Sequence, residues 1–244
     1  RNLVSNIKAT YRAQKFEDNE VFLSFLPLSH VFERMCGHFS AFGIGAKTYY
    51  AESIESVADN MKDAQPTILI SVPRLYEKIH SKIISGLDNA PKLKRIIFNW
   101  SLNVGRKTVL NRDKKARLGL TSKIKYSIAK KLIFSKVKNN FGGRIRNFIS
   151  GGAPLSRDLA EFFGSLELTI LEGYGLTETS PIISCNRPDS YKFGTVGKPL
   201  DNVEVKIAKD GEILSKGPHV MSGYFNKEKE TKEAIDQNGW FHTG

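Results

Sequence analysis

The sequence predicts a layered α/β fold, in which a mostly parallel sheet with flanking helices is followed by a small β-rich subdomain. Three observations carry this prediction. Short apolar runs alternate with helical patterns through about residue 72, the alternation resumes after Arg144, and past Pro188 the chain turns to short strands and Gly/Pro turns. Parallel strands need a crossover, so a strand–helix rhythm indicates a parallel sheet, whereas closely spaced strands and turns indicate a separate β unit.

Each element follows from local pattern. Leu3, Ile7 and Thr10 stand near helical spacing and predict a short polar helix within residues 1–19. Val21 to Leu26 is an apolar run closed by Pro27, the pattern of a buried strand. A helix begins near Val31, flanked by Gly37, Gly43 and Gly45, and Lys47 to Ala51 supplies the next strand. Ser53 to Asp63 reads as helix and Thr67 to Val72 as a strand stopped by Pro73. After a long helical stretch, Ile145 to Ser150 is a strand, Gly151 to Pro154 a turn, and Ser156 to Gly164 a helix with Ser156 as its cap. Leu168 to Leu171 is a strand that enters the loop Glu172 to Glu178. Val203 to Ile207 and Glu212 to Ser215, joined by the Lys209-Asp210-Gly211 turn, belong to the β-rich part. The division is therefore an α/β unit at 1–187 and the start of a β-rich unit at 188–244.

Composition narrows the class. With 40% hydrophobic and 25% charged residues the chain is neither disordered nor membrane-spanning, and no apolar run approaches the roughly 20 residues that cross a bilayer. Cys36 and Cys185 are far apart in the 244 residues and make no C-x-x-C pair, which favours a reducing, cytoplasmic compartment over a disulfide or zinc framework. The net charge of +12 calls for an anionic partner or surface.

That charge is concentrated in the helical stretch at about 74–146, from Arg74 through Lys92, Lys94, Arg95, Arg106, Lys107, Lys114, Lys115, Arg117, Lys130, Lys131, Lys136 and Lys138 to Arg146, opposed only by Glu77, Asp88 and Asp113. Leu120, Ile124, Ile128, Leu132 and Ile133 form an apolar stripe opposite Lys123, Lys130 and Lys131. Two readings stand: a helix packed on the domain with a solvated lysine face, or a basic surface that meets anionic lipid. A nucleic-acid-binding module is disfavoured because the stretch lacks interleaved aromatics and any recognition motif. No G-x-S-x-G is present for a serine hydrolase.

Two loops follow sheet strands, where open α/β sheets place ligands. In the first, Gly151, Gly152, Ala153 and Pro154 leave backbone amides uncovered for a flat ring or an oxyanion, although tight turns also need glycine for geometry alone. In the second, Glu172, Gly173, Tyr174, Gly175, Leu176, Thr177 and Glu178 combine an aromatic for a base, a hydroxyl for phosphate and a hard carboxylate for Mg²⁺. Each residue alone fits a solvated turn. The seven together make a nucleotide-like set.

At these residues the sequence resembles the adenylate-forming, AMP-binding enzymes. The match is Tyr174-Gly175-Leu176-Thr177-Glu178, preceded by Gly151-Gly152-Ala153-Pro154 and followed by Gly194-Thr195-Val196-Gly197-Lys198-Pro199, Gly211-Glu212, Lys216-Gly217, Met221-Ser222-Gly223-Tyr224 and Trp240-Phe241-His242-Thr243-Gly244. Leu26 to Arg34 and the long basic insert look like the long-chain acyl-CoA synthetase branch. The resemblance implies two half-reactions, in which a fatty acid and ATP give acyl-adenylate and CoA then displaces AMP. It implies that Gly151, Gly152 and Ala153 border adenine, Tyr174 stacks on it, Glu172 and Gly173 help to hold it, Thr177 contacts phosphate and Glu178 binds Mg²⁺. His30 lies in the segment that approaches the acyl and phosphate region, and as a lone histidine after a strand it has a structural reading too. The family's phosphate loop is expected just before Arg1, its ribose-binding Asp just after Gly244, and its lid domain with a catalytic lysine beyond. On that expectation the chain is a central piece of the enzyme and inactive alone. An acyl-AMP ligase, a luciferase or a peptide-synthetase adenylation domain shares the same nucleotide motifs.

Overall fold

The computed structural model describes residues 1–113 and 119–244, so Lys114, Lys115 and Arg117 of the basic stretch lie outside the described residues. β1 (Val21–Ser24) and β3 (Ile68–Ser71) are buried along their whole length, as strands at the centre of a sheet covered on both faces must be. They pair in parallel. The parallel run continues through β2 (Lys47–Tyr50) on one side and through β4 (Asn147–Ser150) and β5 (Thr169–Gly175) on the other. Then the direction reverses, and β6 (Ile182–Cys185) and β7 (Lys198–Pro199) add antiparallel, giving the order β2-β1-β3-β4-β5-β6-β7. A separate antiparallel sheet holds β8 (Glu204–Ile207), β9 (Ile213–Lys216) and β10 (Phe241–His242). The fold class expected from the sequence is the one observed.

Alternate strand residues feed two cores, as the two-residue period requires. Phe22, Ile68 and Ile70 face a cluster with Phe32, Met35 and Cys36, against which Leu3 and Ile7 of α1 (Asn2–Gln14) pack. Leu23, Leu69, Phe148 and Ile170 face a larger one with Tyr76, Phe134 and Phe163. That second layer is made by α3 (Val57–Ala64), α4 (Pro73–Asp88), α5 (Lys92–Asp113) and α8 (Arg157–Ser165). Tyr76 ties it to the sheet, its hydroxyl donating to the Ile149 carbonyl at 2.8 Å. On α8 the Ser156 hydroxyl caps the helix by accepting from the Leu159 amide at 3.2 Å, as the sequence predicts.

Several boundaries differ from the sequence reading. The helix after β1 is a π-helical turn, Glu33–Phe39, leading into α2 (Ser40–Gly43), and Gly37 lies inside it rather than at its flank. Residues Ser53 to Ser56 form a hydrogen-bonded serine turn, so α3 starts only at Val57. β5 runs on through Gly175 because β6, which no local pattern announced, pairs with it there. Glu172 to Gly175 are therefore strand, not loop. α9 (Glu228–Ala234) is a further element the sequence reading did not include.

The basic stretch is helical, with α6 (Leu120–Ala129), a π-helical turn at Lys130–Phe134 and α7 (Ser135–Asn139) following α5. Its apolar stripe does not pack inward. Leu120, Ile124, Ile128 and Leu132 are 75%, 54%, 46% and 38% exposed, so the packing reading of that stripe fails for these four. Tyr126, Ala129, Ile133 and Phe134 make the contact with the core instead. Aromatic bulk and a small Ala seat this helix, and the periodic aliphatic face is left outward. Among the described residues, no helix is long and apolar enough to cross a membrane.

Candidate active site

The chain leaves β1 toward β2 on one side and returns to β3 on the other, so a crevice opens at the carboxyl ends of these strands, where open α/β sheets bind ligands. Three segments converge on it: the loop after β1 with His30, the turn after β4 with Gly151 to Pro154, and the end of β5 with Tyr174 to Glu178. Two cavities result. One, of about 370 Å³, is lined by Gly152, Ala153, Pro154, Glu172, Tyr174 and Gly194. The other, of about 320 Å³, is mostly apolar and runs past His30, Phe32, Cys36, Leu176, Thr177 and Glu178. Gly152, Gly173, Tyr174 and Gly175 line both, so the cavities meet across Tyr174.

The two glycine-bearing segments have different physical reasons. Gly152 has φ +79 with nothing nearer to a would-be Cβ than Val72 at 3.8 Å, so it makes the turn and leaves the slot open. At Gly175 a Cβ would lie 1.7 Å from the Pro181 carbonyl oxygen, so the irregular β5–β6 pairing by itself requires glycine here. Gly173 is likewise paired, opposite Cys185.

Polar groups are placed by their partners. Glu172 is buried, its Oε1 has no partner, and burial pushes its carboxyl up to about 7 against a smaller opposing influence of the Gly194 backbone amide. It sits in the first cavity with the character of a neutral acid at mildly acidic pH. Thr177 opens a short 3₁₀ turn (Thr177–Thr179) and is exposed. Glu178 Oε1 accepts from the Tyr224 hydroxyl at 2.9 Å, and its carbonyl accepts from the Met221 amide at 2.7 Å, so the segment after β9 orients it. That carboxylate raises the Tyr224 phenol above its ordinary range. His30 Nδ1 accepts from the Phe32 amide at 3.2 Å. In the neutral ring the proton then sits on Nε2.

The set fits one kind of metal site. Among the described residues there is no group of three His, Cys, Asp or Glu side chains that could hold a cation alone. One carboxylate beside an exposed hydroxyl is a donor set that would suit Mg²⁺ held chiefly by substrate phosphate oxygens and water, and Glu178 is the carboxylate available for it.

All the predicted site residues come together here: Gly152 to Pro154 and Glu172 to Gly175 at the first cavity, and Gly151, His30, Leu176, Thr177 and Glu178 at the second. Tyr224, Gly194, Phe32 and the cavity wall formed by Gln14, Cys36 and Cys185 were not predicted as site residues. Tyr224 and Gly194 stood in motifs that carried the resemblance but suggested no role. Nothing in the local sequence marks Gln14 or Cys185.

Comparison with known proteins agrees with this geometry. Residues 1–225 match the model of the family described as AMP-binding enzyme. Long chain acyl-CoA synthetase 6, peroxisomal, of Arabidopsis thaliana is 34% identical over the whole chain, which spans 35% of that protein. The long-chain-fatty-acid–CoA ligase ACSBG2 of Homo sapiens is 37% identical over 93% of the chain and 35% of its own length. The ligase FadD15 of Mycobacterium bovis is 35% identical over all of the chain and 40% of its own length. The chain thus spans little more than a third of these relatives. Among solved structures, a malonyl-CoA ligase complex with methylmalonyl-CoA and AMP superposes over the whole chain and 44% of its own with a TM-score of 0.70 at 23% identity. The O-succinylbenzoate CoA synthetase of Bacillus subtilis in complex with ATP and magnesium does so over the whole chain and 42% of its own, at 0.67 and 21%. These two likenesses bear on the fold. The match over residues 1–225 shows that this chain belongs to the AMP-binding enzyme family.

Proposed function

We propose that this chain is the adenine- and acyl-binding part of an AMP-forming long-chain fatty acid–CoA ligase. The observation that carries the reading is the meeting, across Tyr174, of a slot bordered by Gly152, Ala153 and Tyr174 with a mostly apolar cavity whose wall holds Thr177, Glu178 and His30. Adenine in the slot and an acyl chain in the cavity bring a carboxylate to the α-phosphate. The carboxylate oxygen bonds to the α-phosphorus, the bond to the bridging oxygen breaks, and pyrophosphate leaves. In the second half-reaction the CoA thiolate attacks the acyl carbonyl and AMP departs.

The residues have distinct parts in this scheme. Tyr174 and the Gly151 to Ala153 backbone hold the ring, Glu172 meets its polar edge, and the Thr177 hydroxyl donates to a phosphate oxygen. Mg²⁺, when bound at Glu178, would supply positive charge to the phosphate oxygens. His30, in the wall of the apolar cavity with Thr177 and Glu178, donates its Nε2–H to the reacting groups, which keeps the attacking group and the phosphate in register. The test is carboxylate-dependent ATP–pyrophosphate exchange by the complete protein across a panel of acids, followed by CoA addition. Exchange with long-chain acids and thioester formation are expected. Exchange without thioester indicates an acyl-AMP ligase, and exchange only with amino or aryl acids indicates a peptide-synthetase or luciferase-like enzyme.

The exposed stripe of α6 motivates a second part of the reading: this helix meets an anionic membrane surface, where a water-insoluble substrate resides. Lys123, Lys125 and Lys131 are exposed on the same helical segment. Each basic side chain near such a surface contributes about 1 kcal/mol. A reducing, cytoplasmic compartment suits Cys36 and Cys185, which are both free and buried.

A further inference from the structure

Glu33 is a carboxylate in an apolar setting, and the scheme above gives it no part. It is 1% exposed on the π-helical turn that follows the His30 loop. Its Oε1 accepts from the Ser24 hydroxyl at 2.5 Å, and its Oε2 has no partner. Gly37, one turn on, makes room for it, since a Cβ there would lie 2.5 Å from Glu33 Oε1. The carboxyl is thus received in a niche built from the absence of a side chain.

The position of this contact gives it meaning. Ser24 ends β1 and Glu33 begins the π-helical turn, so their bond closes the base of the loop at 25–32. Within that loop Arg34 Nε donates to the Leu28 carbonyl at 3.0 Å, the His30 amide donates to Pro27, and the Phe32 amide holds His30 Nδ1. Phe32 in turn lies against Gly151, where a Cβ would come within 2.8 Å of its ring. We propose that Glu33 is a positioning residue, whose carboxyl, held by Ser24 and seated over Gly37, fixes where His30 stands in the wall of the apolar cavity. This rests on the role given to His30 above.

Such a device senses pH. The elements packed against the turn are α1, β1, β3 and α2. β1, β3 and α2 carry no ionisable side chain, and Lys8, Tyr11 and Arg12 of α1 are all exposed. On its own turn, Arg34 is exposed and spent on Leu28, His38 shares a hydrogen bond with Tyr50, and Cys36 is a buried thiol. Among the described residues no cation pairs with the carboxylate, and burial outweighs the Ser24 bond to push Glu33 up to about 7. Below that pH the neutral acid sits quietly in its niche. Above it, an unpaired buried charge pushes outward and loosens the loop.

The experiment uses the complete enzyme and ATP–pyrophosphate exchange with a long-chain acid, comparing Glu33→Ala, Glu33→Gln and His30→Ala with the double variant. Glu33→Ala is expected to lower kcat by about 10-fold or more with the KM for ATP little changed, as for a misplaced catalytic contact. Glu33→Gln, which keeps the shape and the Ser24 bond, should restore most of that rate and lose the decline above about pH 7. In the His30→Ala background Glu33→Ala should cost little more, because it acts through His30. Full additivity of the two losses, or the same pH profile for wild type and Glu33→Gln, overturns the proposal while leaving His30 in place. A wild-type rate for His30→Ala overturns both. If Glu33→Ala does not fold, Ser24→Ala replaces it in the cycle.

Discussion

Removing one oxygen from Tyr224 tests how Glu178 is aimed. The Tyr224 hydroxyl donates to Glu178 Oε1 at 2.9 Å, and that bond reaches from the segment after β9 to the end of the large sheet. In Tyr224→Phe the carboxylate keeps its charge but loses its orienting partner. A hydrogen bond to a charged group contributes about 1.5–3 kcal/mol when sheltered. Tyr224 is 36% exposed and the contact is open to water, so about 0.5–1.5 kcal/mol is the fitting range. That converts to a loss of about 2- to 10-fold in kcat/KM for adenylation. The assay is pyrophosphate exchange by the complete enzyme as a function of Mg²⁺, with thermal unfolding to show that the fold is intact. The half-saturating Mg²⁺ concentration should rise, and Glu178→Gln should cost far more, on the order of 10²-fold. An unchanged Mg²⁺ dependence in Tyr224→Phe, or near wild-type exchange in Glu178→Gln at saturating Mg²⁺, would refute the assignment of Glu178.

Three further outcomes are expected. Burial raises the Glu172 carboxyl from 4.5 in the open chain to about 7 in the fold, so the native state binds the proton more tightly and stability falls as pH rises through that window. Glu172→Gln should remove that fall, a gain of about 1–3 kcal/mol at pH 8 relative to pH 5, measured by urea unfolding at both. Gly175→Ala forces a Cβ to within 1.7 Å of the Pro181 carbonyl, and it should weaken β5–β6 pairing and nucleotide binding together, read by hydrogen exchange at Ile182–Cys185 and by ATP titration. Changing Lys123, Lys125 and Lys131 to Glu should abolish co-sedimentation with anionic vesicles and leave the neutral-vesicle level unchanged; equal binding before and after would return α6 to an unattached surface helix. Lys130 is left out of that set because it pairs with Glu167 at 3.1 Å.

Where sequence reasoning succeeded, the signal was local. Apolar runs such as Val21–Ser24 and Ile68–Ser71 are buried on both faces, and no other element satisfies a short run of that kind bounded by a turn and a proline. The site residues were legible because glycines, an aromatic, a hydroxyl and a carboxylate sat within a few positions of strand ends. What was not legible depended on pairing across long separations. β5 extends to Gly175 only because Ile182–Cys185 lies beside it, and Glu178 is oriented by a tyrosine 46 positions away. The α6 stripe shows the limit of periodicity. It identifies a face but not whether that face turns inward, and here Tyr126 and Phe134 took the inner position. The π-helical turn at Glu33–Phe39 was invisible for a similar reason, since it accommodates a carboxyl whose partner, Ser24, ends the preceding strand.

One ligand is expected to span both cavities, and a crystal structure of the complete enzyme with a non-hydrolysable long-chain acyl-adenylate analogue decides whether it does. Adenine should lie between the Gly152–Ala153 backbone and Tyr174, the phosphate mimic at Thr177, and the acyl chain past His30 toward Phe32, Cys36 and Cys185. A second apolar-walled cavity, of about 530 Å³, lies on the other face of the sheet between Met61, Ile83, Phe98 and Phe141. An acyl chain found there, or adenine bound away from Tyr174, would contradict the account.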